Sequence, residues 1–182
     1  SNESLNNFSN DLQSLMPANT SKDLVRIPWG SPQNSSNFGG IYFPAPDIDK
    51  LANQRYFFGH NKYSIVGVTH TTASEGVIKS LLNCYTSPLN EWDAIIATSN
   101  SVKNSINTLY DQYFTILKDK FGATKRPNFQ IPIIPLGVHN EDYNFSDDTK
   151  SLSRDKLGID SNDIVLLFLG RISFHAKAHH VP

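Results

Sequence analysis

Apolar residues are unevenly spaced along this chain, and from residue 63 onward their spacing alternates between two periods. Ser64-Ile65-Val66-Gly67-Val68-Thr69 is a β-rich run, and Val77, Ile78, Leu81 and Leu82 then recur at helical intervals within 73–84. Asp93-Ala94-Ile95-Ile96-Ala97, within 92–98, is extended again. Val102, Ile106, Leu109, Tyr113, Leu117 and Phe121 follow three or four apart, which predicts a long helix opened by Ser99-Asn100 and closed by Gly122. Gln130-Ile131-Pro132-Ile133-Ile134-Pro135 predicts a further short strand, because prolines flank its apolar pair. Upstream, Ile41-Tyr42-Phe43 reads as a strand and 48–58 as a helix with Asp47 as its N-cap. Strand and helix alternating in this way imply right-handed crossovers on a parallel sheet, so the fold class is α/β.

The flanks differ. Residues 1–40 are polar and loop-rich, and 1–24, dominated by Ser and Asn, carry too few large apolar groups to offset their ordering entropy, which predicts partial disorder. Turn residues punctuate the stretch up to Gly39-Gly40, and no glycine-rich phosphate loop stands there. The regular domain spans 41–138, and 139–150 is an acidic, polar connector. Residues 151–182 begin a second domain with a short helix over 151–157, stopped by Gly158. Ile164-Val165-Leu166-Leu167-Phe168-Leu169 then has no polar alternation and predicts a strand buried on both faces. It delivers Gly170, Arg171 and, further on, Lys177 at its carboxyl end, where open α/β sheets bind ligands.

Composition narrows the function classes. With 16 Lys+Arg against 17 Asp+Glu scattered along 182 residues, and a formal net charge of −1, no basic stripe suits a nucleic-acid backbone. The lone Cys84 excludes an internal disulfide and fits a reducing compartment. No apolar run approaches the ~20 residues of a membrane span, and the start lacks a signal pattern, so the expectation is a cytoplasmic protein.

Three motifs in series carry a resemblance. Asp93-Ala94-Ile95-Ile96-Ala97-Thr98-Ser99, then Ile133-Ile134-Pro135-Leu136-Gly137-Val138, then Leu157-Gly158-Ile159 with Phe168-Leu169-Gly170-Arg171-Ile172-Ser173 and Lys177, resemble the two-domain retaining glycosyltransferases of family 4 over roughly 41–179. The resemblance implies a Rossmann-like parallel sheet, the amino-terminal half of a GT-B architecture, plus the first strand of a donor-binding domain. It implies transfer of a sugar from a nucleotide-sugar donor to a carbohydrate or lipid-linked acceptor with retention. No metal cofactor is expected, and peripheral association with the inner face of a membrane is compatible with it.

The chemistry gives the residues roles. A departing diphosphate gains negative charge as the glycosidic bond breaks, so fixed cations there lower the barrier. Arg171 offers a planar fork for phosphate oxygens and Lys177 a mobile point charge; the resemblance makes these two the clamp that replaces a metal. His70 ends a strand beside Thr69, Thr71 and Thr72, where it can meet sugar hydroxyls or cap the next helix, and both readings stand. Ser99 has the same ambiguity between ligand contact and N-cap. Gly137 reads as a backbone requirement, a turn with positive φ or a close approach, and in the resemblance it lines the cleft. His175 and His179 stand at metal-ligand spacing, but no carboxylate or cysteine completes a set, and Asp147-Asp148 and Glu141-Asp142 read as solvated surface.

The family pattern is incomplete. The nucleotide-base pocket and paired-glutamate signature of a donor domain do not appear, nor does a glycine-rich opening unit, so the expectation is a truncated chain that is weakly active or inactive alone. The alternative is a non-catalytic α/β fragment, or a remnant that binds a glycan or another protein.

Overall fold

The structure, a computed structural model, describes residues 2–16, 32–167 and 169. The chain divides into two compact units, Ser1–Leu136 and Gly137–Pro182.

The first unit is built on a parallel sheet. β1 (Gly40–Phe43), β2 (Ser64–Val68) and β3 (Ala94–Ile96) pair side by side in the order β1-β2-β3. Beyond β3, residues 130–134 run parallel to it through the bridges Ala94↔Gln130 and Ala97↔Ile133. The Ile95 and Ala97 N–H groups donate to the Gln130 and Pro132 carbonyls, each at 2.9 Å. Pro132 has no N–H to return, which is why this segment makes bridges rather than a continuous ladder.

Helices α3 (Asp49–Gly59), α4 (Glu75–Thr86) and α5 (Asn100–Phe121) supply the crossovers, and each packs against its neighbour. Because every crossover advances in the same direction, right-handedness puts all three on one face. That face holds the core, with Ile65, Ile95 and Ala97 from the strands meeting Ile48, Leu51, Leu81, Cys84, Ile106 and Tyr110. On alternate strand positions Val66 and Ile96 are half-buried, and Tyr42 is exposed. The sheet is therefore a singly wound one, with no reversal of strand order among the described strands.

Local chemistry sets the helix ends. The Ser74 and Ser99 hydroxyls accept from the Val77 and Val102 N–H groups, capping α4 and α5. Gly122, at φ 67°, ends α5 in the left-handed conformation. The start of α3 departs from expectation. Its N-cap is Ile48 rather than Asp47, with no side-chain cap bond, because Ile48 is fully buried and its N–H donates to the Pro46 carbonyl. Gly67 lets this happen, since a Cβ there would stand 2.8 Å from both the Ala45 carbonyl oxygen and Ile48 Cγ2.

The amino-terminal segment also departs from expectation. Instead of disorder, Asn2–Leu15 forms a helix, α1. Phe8, Leu12 and Leu15 recur three or four apart, so these apolar groups lie on one stripe. A single helical turn, α2 (Pro32–Ser35), follows and contacts α3.

In the second unit a 3₁₀ turn (Asn140–Tyr143) precedes α6 (Asp147–Leu157), capped by Ser146 and closed by Gly158 at φ 68°. Two-thirds of the predicted connector is thus helical, and α6 starts within it because Ser146 and the acidic pair Asp147-Asp148 make a favourable helix start. The predicted strand over 164–169 is not formed among its described residues. Ile164 and Leu166 are 93% and 95% exposed, for among the described residues no neighbouring strand takes up their backbone groups.

Candidate functional site

The carboxyl edge of the parallel sheet brings together the turns that leave β1, β2 and β3. These hold Pro44 to Asp47, Thr69 to Ser74, and Ala97 to Ser99, and α4 and α5 begin there with their amino ends.

His70 stands exposed at this edge, with Nε2 3.1 Å from the Pro44 carbonyl oxygen in the turn after β1. A carbonyl only accepts, so Nε2 carries the proton and Nδ1 of the neutral ring is left as an acceptor. The ring thus ties two turns together while keeping one nitrogen able to receive a hydroxyl proton. It does not cap α4; Ser74 does.

Thr69 points elsewhere. It is completely buried, and both its N–H and its hydroxyl donate to the Ile96 carbonyl, at 3.0 and 2.9 Å. Its role is to lock β2 to β3 beneath the edge. Thr71 is exposed, and its hydroxyl accepts from the Ala73 N–H at 3.3 Å, shaping the turn into α4. Ser99 is half-buried and its oxygen is engaged by Val102 N–H at 3.2 Å, which leaves the hydroxyl proton for another partner. The structure therefore brings His70, Thr71 and Ser99 to one edge.

Gly137 opens the second unit. It has no positive φ and a Cβ there would meet nothing within 4 Å, so neither backbone reason for a glycine holds at that position. A close approach to backbone that the fold does require is at Gly67. Gly170, Arg171 and Lys177, with the diphosphate role expected of the last two, lie outside the described residues.

Beside this edge, a groove of about 530 Å³ runs between α4 and α5. Ile78, Leu81, Ile106 and Leu109 line it, and Thr72, Ser101 and Asn104 give it an uncharged polar rim. No Lys, Arg, Asp or Glu lines it. Among the described residues no group of His, Cys, Asp and Glu is arranged to hold a metal ion, and no helix is long and apolar enough to cross a membrane.

One polar constellation escaped the sequence reading. At the opposite, amino end of the strands, Arg55 of α3 and Asp93 before β3 form an ion pair with both side chains at 0% exposure. Arg55 Nη1 and Nη2 donate to the two carboxylate oxygens at 2.7 and 2.6 Å, and Nη1 also donates to the Tyr63 carbonyl at 2.6 Å. The carboxylate further accepts from the Ile65 and Asn90 N–H groups at 2.8 and 2.7 Å. The signal was present, since Arg55 occupies the helical position four residues after Leu51 and seven after Ile48, both on the buried face. The pair clamps α3, β2 and β3 together and is structural.

Comparisons of the chain with protein-family models, with curated proteins and with solved structures found no match.

Proposed function

We propose that this chain is a glycosyltransferase polypeptide, moving a sugar from a nucleotide-sugar donor to a carbohydrate or lipid-linked acceptor with retained anomeric configuration. The observation that carries the reading is the convergence of His70, Thr71 and Ser99 on the carboxyl edge of a parallel sheet, the edge at which such sheets bind ligands. The serial motifs quoted above supply the second support. In transfer, the bond from the anomeric carbon to the diphosphate breaks, the diphosphate leaves with the electron pair, and a bond to the acceptor oxygen forms as the acceptor proton passes to the departing diphosphate. His70 Nδ1 is the acceptor on this edge suited to receiving a sugar hydroxyl. Arg171 and Lys177 balance the charge on the departing diphosphate. Donor binding needs no metal in this scheme, because those two cations take that part.

The test is binding and transfer by the full chain with UDP-, GDP- and ADP-linked hexoses, read by calorimetry and by release of the nucleoside diphosphate. Saturable donor binding that Arg171→Ala and Lys177→Ala each weaken at least about tenfold is expected, since each removes one charge-assisted contact. If no nucleotide sugar binds even weakly, or the double variant binds it as well as the parent, the reading fails. A non-catalytic glycan- or protein-binding module would then replace it.

A further inference from the structure

A second cavity lies at the other end of the first unit. It measures about 340 Å³ and is lined by Tyr85, Asn107, Tyr110, Asp111, Arg126 and Phe129, among others. Tyr85 is the penultimate residue of α4, Tyr110 sits midway along α5, and Phe129 precedes the bridge at Gln130. These positions belong to the amino end of the strands, away from His70 and Ser99.

Three features of its wall point to a ligand. First, Tyr85 and Tyr110 are each only 5% exposed, and neither hydroxyl has a hydrogen-bond partner among the described residues. A sealed, unpaired hydroxyl is destabilising, and native structures rarely carry two together. Burial raises both phenols above their ordinary range, so each remains a donor. Second, the rings pack against one another as a buried aromatic cluster in the cavity wall. Tyr85 and Tyr110 are tilted at 4.7 Å between centroids, and Phe129 meets Tyr110 edge-on at 6.0 Å. Third, the rim is polar but neutral. The Arg126 guanidinium, stacked 4.6 Å over Phe114, is already paired with the Asp111 carboxylate, which leaves no net charge for an ionic ligand.

We infer that this cavity binds a single neutral, hydroxylated ring, a hexose unit of a glycan. Such a ring presents C–H faces to aromatic walls and hydroxyls that both donate and accept. The wall supplies matching groups: donors on Tyr85, Tyr110, Asn107 and Arg126, and acceptors on Asp111 and Asn107. Ligand entry parts the contacts that seal the two phenols, and their two unmade hydrogen bonds offset that opening. The site holds a glycan at a distance from the sheet's carboxyl edge and needs no transfer chemistry, so it stands or falls independently of the proposed activity.

The experiment titrates the full chain with methyl glucoside, methyl galactoside, methyl mannoside and N-acetylglucosamine, following Asn107 and Asp111 backbone resonances by NMR, with inorganic phosphate and benzoate as ionic controls. At least one hexose is expected to give saturable shifts at those residues, and Tyr85→Phe and Tyr110→Phe are each expected to weaken it about five- to tenfold. Without sugar, the same two variants melt at or above the parent temperature, because each removes an unpaired hydroxyl while keeping the ring. Asn107→Ala, an exposed change, gives a second loss of affinity without touching the core. The assignment is overturned if no hexose shifts these resonances, if phosphate or benzoate binds there instead, or if both Phe variants bind the sugar as tightly as the parent.

Discussion

Asp93 accepts from a guanidinium and from two backbone N–H groups while wholly shielded from water, so its charge is compensated on every side that the structure describes. Such a pair contributes little against an apolar pair of the same shape, yet losing one half leaves an uncompensated buried ion. Asp93→Asn is therefore expected to cost about 3–5 kcal/mol of stability, measured by urea denaturation. An unchanged midpoint would mean that the clamp at the amino end of the sheet is dispensable. Sequence patterning shows only half of this pair: Arg55 falls on the apolar face of its helix, whereas an Asp before a strand looks like an ordinary surface charge until the chain folds. The same holds for Gly137 and Gly67. The first stands in a motif and the second in a plain strand, and only the path of residues 45–48 over β2 shows that the missing Cβ matters at Gly67.

Among elements, α5 was the most legible. Its apolar positions, its Ser99 cap and its left-handed Gly122 all follow from local chemistry that the sequence carries. Because Ser99 serves the helix, its capping role separates cleanly from any ligand role. Ser99→Ala is expected to cost about 1 kcal/mol in thermal or urea unfolding and Ser99→Asp almost nothing, since aspartate caps as well as serine. Equal losses in the two variants would show that the hydroxyl does something other than cap. The element that misled was the apolar run at 164–169, where composition suggests a buried strand but pairing depends on a neighbour that hydrophobicity cannot specify. α1 misled in the opposite sense, its low apolar content hiding a regular spacing.

For the whole molecule, the buried acids set a pH limit. Burial, with help from the Asp49 charge, pushes the Cys84 thiol up from 9.0 to about 12, and burial likewise raises Tyr63, Tyr85 and Tyr110. Each group's folded pKa exceeds its unfolded one, so its contribution is complete below the unfolded value and is lost as pH rises toward the folded one. For Cys84 that window runs from pH 9.0 to about 12. The urea midpoint is expected to fall across it, and Cys84→Ala to flatten part of the slope; a midpoint that stays level through the window would contradict the thiol's burial. The α/β class and the parallel sheet were readable from alternating periods, whereas the one-directional strand order was not, because periodicity names elements without ordering them in space.

That strand order has a bearing on how the chain is made. Each strand lies next to the one synthesised just before it, so every crossover unit can dock on its predecessor as it leaves the ribosome, without waiting for a distant partner. Assembly can then advance in step with translation, one strand-helix unit at a time.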